Sequence, residues 1–199
     1  MIILITAFEP FNKQTENASL DVLNSLHLIL PGLTCIKVVL PVVYDNQIYG
    51  RLLDKHHPDI VLHMGEAGNR SKVNLEYRGI NRMSAQVSDN QGIQKSEEAI
   101  LPGGPSELIE TIESSFIVEN LKADGYPIEL SQSAGAFICN LALYTSLYEV
   151  RQKRMATKVG FIHLPRLSHQ DNPKDMPTIS LAEAVETVQA IITYLVQKK

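Results

Sequence analysis

Cys139 occupies a position in the sequence that suits covalent chemistry. A turn of small residues (SAGA, 133–136) precedes it, and a helical pattern runs from Cys139 to about Arg151. Unpaired backbone N–H groups and the dipole at a helix start stabilise a thiolate, which is the nucleophile for acyl transfer. The alternative is a small buried apolar residue, the usual role of a free cysteine. That alternative fits Cys35 better, because Cys35 lies in a predicted strand among apolar neighbours.

A cysteine nucleophile needs a base, and His163 is the candidate among the six histidines. It ends a predicted strand and is followed by Leu164 and Pro165. In open α/β sheets, functional sites gather beyond the carboxyl ends of strands. A hydrogen-bonded histidine within the sheet is the alternative, with about equal weight. His63 lies in mid-strand, which is typical of a core histidine. The remaining histidines lie in predicted helices or in a polar loop: His27, His56, His57 and His169.

A third group must orient the histidine and support its imidazolium form, and a carboxylate does both. Glu76 lies in a strand-like segment, residues 73–81, which the imperfect alternation places at or near a sheet edge. Acidic residues in edge strands are mostly surface charges, so spacing alone does not select Glu76.

The elements that must position these residues alternate along the chain. This alternation predicts an α/β fold with a mostly parallel sheet covered on both sides, in a single domain spanning residues 1–199. A long loop region over 88–106 contains glycine-rich turns, and loops of that length usually carry function. The predicted strands are 2–7, 35–43, 59–64, 73–81, 128–131 and 158–164, and the predicted helices are 20–30, 45–57, 114–125, 139–151 and 180–196.

Composition excludes several classes of protein. The net charge is −4 and no basic stripe exists, so nucleic-acid binding has little support. No stretch reaches the 18 or so apolar residues that a membrane span needs, and the opening MIILITAFEPF reads as a strand and not as a signal peptide. Two cysteines without a C-x-x-C pair make no disulfide framework. We therefore expect a cytoplasmic protein.

Three blocks of the sequence resemble the signatures of the pyroglutamyl peptidase I family, also called pyrrolidone-carboxylate peptidase. TAFEPFNKQTENAS is similar to the family's opening T-G-F-x-P-F-G-G, and MGEAGNRSKVNLEYRGIN is similar to its G-Q-A-G-x-R and glutamate segment. SAGAFICNLALY together with GFIHLP resembles its cysteine and histidine motifs. The blocks match in order and approximate spacing over nearly the whole chain.

The resemblance implies a cysteine peptidase that removes an N-terminal pyroglutamyl residue from peptides through a thioester. It implies a Cys-His-Glu triad at Cys139, His163 and Glu76. It also implies a three-layer α/β/α sandwich with a mostly parallel mixed sheet, similar to the nucleoside phosphorylases. The resemblance leads us to expect no metal and no organic cofactor. It also leads us to expect a homo-oligomer, either a dimer or a tetramer.

For substrate binding, the resemblance implies that Phe8 and Phe11 hold the flat lactam ring between them, a sensible use of two aromatic faces. Without the resemblance, both would be read as core residues at a strand end. The matching blocks also place Glu66 and Phe137 at the binding site.

The sequence departs from the family pattern at three places. Asn12 and Lys13 stand where the opening motif has glycines, so the loop is expected to follow another path. Glu66 replaces a glutamine, and an ionised glutamate cannot donate a hydrogen bond to a lactam carbonyl. Gln86 stands where the family commonly has an arginine ten residues after the glutamate.

These departures leave two alternatives to a working pyroglutamyl peptidase. One is the same fold with altered N-terminal specificity, or with weak or no activity. The other is a non-catalytic binding protein that retains the triad. A nucleoside phosphorylase has little support, because the GEAG segment, 65–68, brings an acid where a phosphate needs a donor.

Overall fold

The computed structural model describes residues 1–172 and 175–197, so the predicted domain span of 1–199 includes residues outside the described ones. The strands are β1 (Ile2–Phe8), β2 (Thr34–Leu40), β3 (Ile60–Glu66), β4 (Val73–Glu76), β5 (Arg78–Ile80), β6 (Glu107–Ile109), β7 (Ile128–Ser131), β8 (Lys158–Leu164), β9 (Arg166–Leu167) and β10 (Thr178–Ile179). The helices are α1 (Ala18–Ser25), α2 (Gln47–His56), α3 (Ser114–Ala123), α4 (Ile138–Gln152) and α5 (Leu181–Gln197).

Six strands form the central sheet, in the order β2-β1-β3-β8-β4-β7. Neighbouring strands are parallel except β4 and β8, which are antiparallel. Two small two-stranded sheets flank it, one of β9 and β10 and one of β5 and β6. The predicted α/β fold with a mostly parallel mixed sheet is confirmed.

The sheet is covered on both faces, because alternate side chains of each inner strand enter different core clusters. Ile3 and Ile5 of β1 pack with α1, α3 and α5, whereas Leu4 between them packs with α2 and α4. Full burial of each such side chain contributes roughly 1.5–3 kcal/mol. The result is the expected three-layer α/β/α sandwich.

The segment 73–81 differs from its prediction. Its position is near a sheet edge, as predicted, because β4 lies between β8 and the edge strand β7. The difference is that the segment forms two strands, because the chain leaves the central sheet after Glu76 and β5 pairs with β6, a strand that the sequence pattern does not predict. The imperfect alternation reflects a strand buried on both faces, as all four residues of β4 are buried.

The first helix is shorter than predicted. α1 ends at Ser25, and Leu26 adopts an extended conformation while its N–H still bonds the Val22 carbonyl. Pro31 disfavours the helical conformation at Leu30, the residue directly before it. His27 therefore lies after the helix and not within it.

Side chains just before α2 and α5 accept backbone N–H groups at the starts of these helices. Asp45 Oδ1 accepts the Gln47 N–H at 2.9 Å at the start of α2. Ser180 Oγ accepts the Glu183 N–H at 3.1 Å while Glu183 Oε2 accepts the Ser180 N–H at 3.2 Å, which is a capping box before α5. The predicted loop over 88–106 has no helix or strand, and buried Asp89 holds it by accepting N–H bonds from Gln91, Ile93 and Tyr44.

Candidate active site

The histidine and the glutamate come together because of the antiparallel pair within the sheet. His163 of β8 lies opposite Asn74 of β4, which makes Glu76 its diagonal neighbour on the same face. His163 Nδ1 and Glu76 Oε1 are 2.7 Å apart, and the two side chains are 7% and 0% exposed. A buried carboxylate at this distance fixes the imidazole ring with its other nitrogen directed away from Glu76.

Cys139 is the second residue of α4. The turn before it uses Gly135 in the left-handed region, at a φ of 78°, where glycine is the residue without steric cost. The Asn140 side chain anchors the start of this helix to β5, because it accepts the Ile80 N–H at 2.8 Å and donates to the Ile80 carbonyl at 2.9 Å. The N-cap residue, Phe137, makes no side-chain capping bond to the first turn.

The candidate nucleophile, Cys139, and the candidate base, His163, interact directly through a hydrogen bond and through their charges. Burial lowers the pKa of His163, but the Cys139 thiolate and its hydrogen bond, together with Glu76, outweigh that effect and raise the pKa to about 9. The imidazole is therefore protonated at neutral pH when the thiol is ionised. This arrangement supplies a nucleophile and a proton donor side by side.

Gly65 makes room for the sulfur. It lies opposite His163 in the β3–β8 register, and a Cβ at this position would meet Cys139 Sγ at 2.7 Å. A contact that short does not occur for real Cβ atoms, so any larger residue would displace the sulfur or the strand.

Arg70 supplies a positive charge beside these three residues. Its Nη2 lies 3.7 Å from Glu76 Oε1 and donates to Ser131 Oγ at 3.0 Å and to the Ser133 carbonyl at 3.4 Å. Glu76 Oε2 is buried and has no hydrogen-bond partner among the residues that the structure describes. Arg70 thus ties the Glu76 carboxylate to the turn that precedes Cys139.

The other two arginines of this region pair elsewhere. Arg78 pairs with Glu107 at 2.6 Å and Arg82 pairs with Glu97 at 2.5 Å. Gln86 is exposed. Of Arg70, Arg78 and Arg82, Arg70 is the one that approaches Glu76.

A cavity of about 150 Å³ opens in front of Cys139 and His163. A cavity of this size holds a molecule about as large as benzene. Its wall is mostly aromatic and aliphatic, and all the binding residues that the sequence predicts lie in it: Phe8, Phe11, Glu66 and Phe137.

The aromatic side chains of the cavity do not contribute equally. Phe8 is buried in the core, and the rings in mutual contact are Phe11 and Phe137, with centroids 5.9 Å apart and planes tilted by 41°. Tyr44 packs edge-on against Phe137 at 5.6 Å. A flat ring between two aromatic faces needs about 7 Å between them, given contacts of about 3.5 Å on each side. Phe11 and Phe137 would therefore have to separate slightly to hold such a ring between them.

Both oxygens of Glu66 face protein groups. Its Oε2 accepts the Ala18 N–H at 2.8 Å and a Gln170 amide N–H at 2.9 Å, and its Oε1 lies 3.7 Å from Arg166 Nε. The side chain is 3% exposed. The carboxylate therefore joins the end of β3 to the start of α1 and to the segment after β8.

The loop that lacks the family's glycines keeps glycine-like backbone angles. Asn12 and Lys13 have φ values of 51° and 64°, in the left-handed region. Each costs roughly 1–2 kcal/mol for a residue with a side chain, and less for asparagine.

The structure adds residues to the site that sequence reasoning overlooks and agrees with it on others. Asn17 caps α1 by accepting the Ser19 N–H, and it also lines the cavity. The signal that could identify Gly65 and Arg70 is their place in the MGEAGNR block.

His63 is a core histidine, as expected. Its ring nitrogens are hydrogen-bonded to Thr6 at 2.7 Å and to Ser146 at 2.8 Å, and burial lowers its pKa to about 3.

Two other kinds of site are not found in the described part of the chain. Within residues 1–172 and 175–197, no group of three or more His, Cys, Asp or Glu side chains is arranged to hold a metal ion. No helix among those residues combines the length and apolarity needed to cross a membrane.

The chain is similar in sequence and in structure to known proteins. The sequence matches the family described as pyroglutamyl peptidase over residues 1–198. It is 34% identical over 183 residues to a pyrrolidone-carboxylate peptidase of Thermococcus kodakarensis, covering 91% of this chain and 89% of that protein. The fold is similar to the pyrrolidone carboxyl peptidase of Pyrococcus furiosus, with a TM-score of 0.93, 29% identity, and coverage of 100% and 99%. It is also similar to pyroglutamyl peptidase I of Bacillus amyloliquefaciens, with a TM-score of 0.88, 30% identity, and coverage of 96% and 94%.

Proposed function

The chain belongs to the pyroglutamyl peptidase family of cysteine peptidases, and on that premise we propose that Cys139, His163 and Glu76 remove N-terminal pyroglutamate from peptides. The observation that carries this assignment is the chain of contacts from Glu76 through His163 to Cys139, beside a cavity for one small ring. Each residue has the chemistry that its role requires.

In the first half of the reaction, the Cys139 thiolate attacks the carbonyl carbon that joins pyroglutamate to the next residue. The carbonyl oxygen becomes an oxyanion, which backbone N–H groups at the start of α4 stabilise. The C–N bond then breaks, and the departing amine takes the proton from the His163 imidazolium. A thioester between pyroglutamate and Cys139 remains.

In the second half, His163 is neutral and accepts a proton from a water molecule that attacks the thioester. The second tetrahedral intermediate releases free pyroglutamate, and the thiolate leaves beside an imidazolium. Glu76 stays ionised throughout, and it orients and stabilises the imidazolium. The resting pair is thereby restored.

The cavity favours a neutral lactam over a charged N-terminus. Its lining is mostly apolar, with Phe8, Phe11 and Phe137 available to contact the ring. An ammonium group in such a place loses its hydration, and the effective penalty for a buried ion is several kcal/mol. Pyroglutamate has no such charge, because its amine is acylated within the ring.

The proposal is tested with pyroglutamyl-coumarin amide and the matched substrate prolyl-coumarin amide, which has a similar ring and a charged amine. We expect the pyroglutamyl substrate to be preferred at least 100-fold in kcat/KM, and its hydrolysis to stop after treatment with iodoacetamide. A protein that hydrolyses neither substrate would instead be a binding protein that retains the triad.

The Glu66→Gln variant tests whether Glu66 alters specificity. A glutamine can keep the two bonds to Ala18 and Gln170 through its oxygen, but it loses the charge opposite Arg166. We expect kcat/KM on pyroglutamyl-coumarin amide to change by less than threefold, and the free energy of unfolding to fall by about 1 kcal/mol.

The matched control for that measurement is Glu119→Gln, at an exposed position of α3. A gain of tenfold or more for Glu66→Gln, absent in the control, would identify the carboxylate as a specificity determinant against the lactam. Thermal unfolding of both variants measures the stability difference.

We also propose a cytoplasmic location and a homo-oligomer, either dimer or tetramer. Cys35 and Cys139 are both free thiols, and a catalytic thiolate is preserved in a reducing compartment. Ile29 and Val39 are 94% and 50% exposed, and contact with another copy would cover such apolar side chains.

A further inference from the structure

A second and larger cleft, of about 540 Å³, lies next to the catalytic cavity. Most of the residues that line it have polar side chains, and they come from three segments: the loop 12–16, the turn with Gly68 and Asn69, and the chain that continues from His163 through Arg166 and Gln170. No step of the reaction described above uses this cleft.

The two cavities share a wall. Gln170 lines the cleft and donates a hydrogen bond at 2.9 Å to Glu66, which lines the catalytic cavity. The loop between β1 and α1 also contributes to both, because Phe11 and Asn17 line the catalytic cavity and the residues between them line the cleft. The wall between the catalytic cavity and the cleft is therefore about as thick as one side chain.

The size of the catalytic cavity makes a second binding region necessary for a peptide substrate. A volume of about 150 Å³ holds one ring, so the residues after pyroglutamate must lie outside it. The leaving amine receives its proton from His163, so the peptide passes that side chain. The chain that follows His163 leads to Arg166 in the wall of the cleft.

The chemistry of the cleft matches an extended peptide. Side-chain amides, which both donate and accept hydrogen bonds, come from the loop 12–16 and from the turn at residues 68–69, and they are those of Asn12, Gln14 and Asn69. Asn12 and Lys13 hold left-handed backbone angles on its rim, and such costly conformations concentrate at binding and catalytic sites.

We propose that this cleft binds the two or three residues that follow pyroglutamate in a peptide substrate, and so favours longer peptides. The proposal rests on the proposed function, because it assigns the leaving side of the same reaction. Recognition is through peptide N–H and carbonyl groups and polar side chains, so it depends on the length of the leaving peptide more than on one side chain.

The test uses pyroglutamyl peptides with one, two, three and four residues after the pyroglutamate, together with pyroglutamyl-coumarin amide. In the wild type we expect KM to fall at least fivefold as the leaving segment grows from one to three residues. Thr15→Trp and Asn69→Trp fill the cleft from two different segments of its lining, and each is expected to remove this dependence on length. Ser115→Trp, at an exposed position of α3, is the control that keeps it.

Each outcome decides the matter. A KM that does not depend on length in the wild type, or a dependence that either correctly folded tryptophan variant retains, overturns the proposal. Because two positions are used, the test remains valid if one of the variants misfolds. Circular dichroism shows whether each variant is folded. If the wild type hydrolyses none of the peptides and no coumarin amide, the proposed function fails instead. If it hydrolyses the coumarin amide and all peptides equally, only the cleft assignment fails.

Discussion

Replacing Cys139 with alanine is expected to reduce turnover of pyroglutamyl-coumarin amide to the background rate, a loss of about 10⁶ in kcat by analogy with removal of a nucleophile in other acyl-transfer enzymes. Without the sulfur, neither the acyl-enzyme nor the imidazolium–thiolate pair forms. The fold should survive, because Cys139 is only partly buried and the change removes one atom next to Gly65. Steady-state kinetics and thermal unfolding measure both effects.

Cys35→Ala is the matched control, because Cys35 is the other free cysteine and lies in β2. Its turnover should equal that of the wild type. Retained activity in the Cys139→Ala protein, with Cys35 unable to account for it, would refute the nucleophile assignment. Active-site labelling with iodoacetamide and mass spectrometry then locates the reactive thiol.

Replacing Glu76 with glutamine is expected to lower kcat by about 10³–10⁴, close to the loss when the carboxylate of a comparable triad becomes an amide. The side chain keeps its shape, so a hydrogen bond to His163 Nδ1 at 2.7 Å is still geometrically possible. The negative charge that stabilises the imidazolium is lost, and the buried amide beside Arg70 has no charge to offset that guanidinium.

The same variant should shift the pH dependence. Interactions with Cys139 and Glu76 raise the pKa of His163 to about 9, so the imidazolium that protonates the leaving amine persists up to that pH and is lost above it. Removal of the Glu76 charge lowers the pKa, and the alkaline limb of kcat/KM should move down by roughly one pH unit.

The control for Glu76 is Glu129→Gln, because Glu129 is a glutamate of the adjacent strand β7 that pairs with Lys72 away from the triad. Its kcat and its alkaline limb should match the wild type. An alkaline limb that stays in place in Glu76→Gln would show that the carboxylate does not act through His163.

The strained loop between β1 and α1 connects the two halves of the site. Its ends contact the catalytic cavity, its middle lines the larger cleft, and Glu66 holds its junction with α1 through the Ala18 N–H. This arrangement gives a physical reason why Glu66 can stand where the family has a glutamine. The carboxylate is occupied in joining segments and does not depend on donating a hydrogen bond.

Local features of the sequence are enough to propose the nucleophile and the base. Cys139 follows a glycine turn at a helix start, and His163 ends a run of apolar residues, so both signals lie within a few neighbouring residues. The strands 128–131 and 158–164 are predicted with the bounds that the structure has, because short β-rich runs between turns need no distant information.

The tertiary structure alone decided what stands beside those residues. Glu76 lies against His163, although 87 residues separate them along the chain, because β4 is paired antiparallel with β8 inside the sheet. The reach of Arg70 to Glu76 and the shared wall of the two cavities depend on the same arrangement. A pattern of apolar residues indicates which face of a strand is buried, but it carries no information about which strand lies next to it. Strand order is set by packing of the whole chain, and the electrostatics of the site follow from that order.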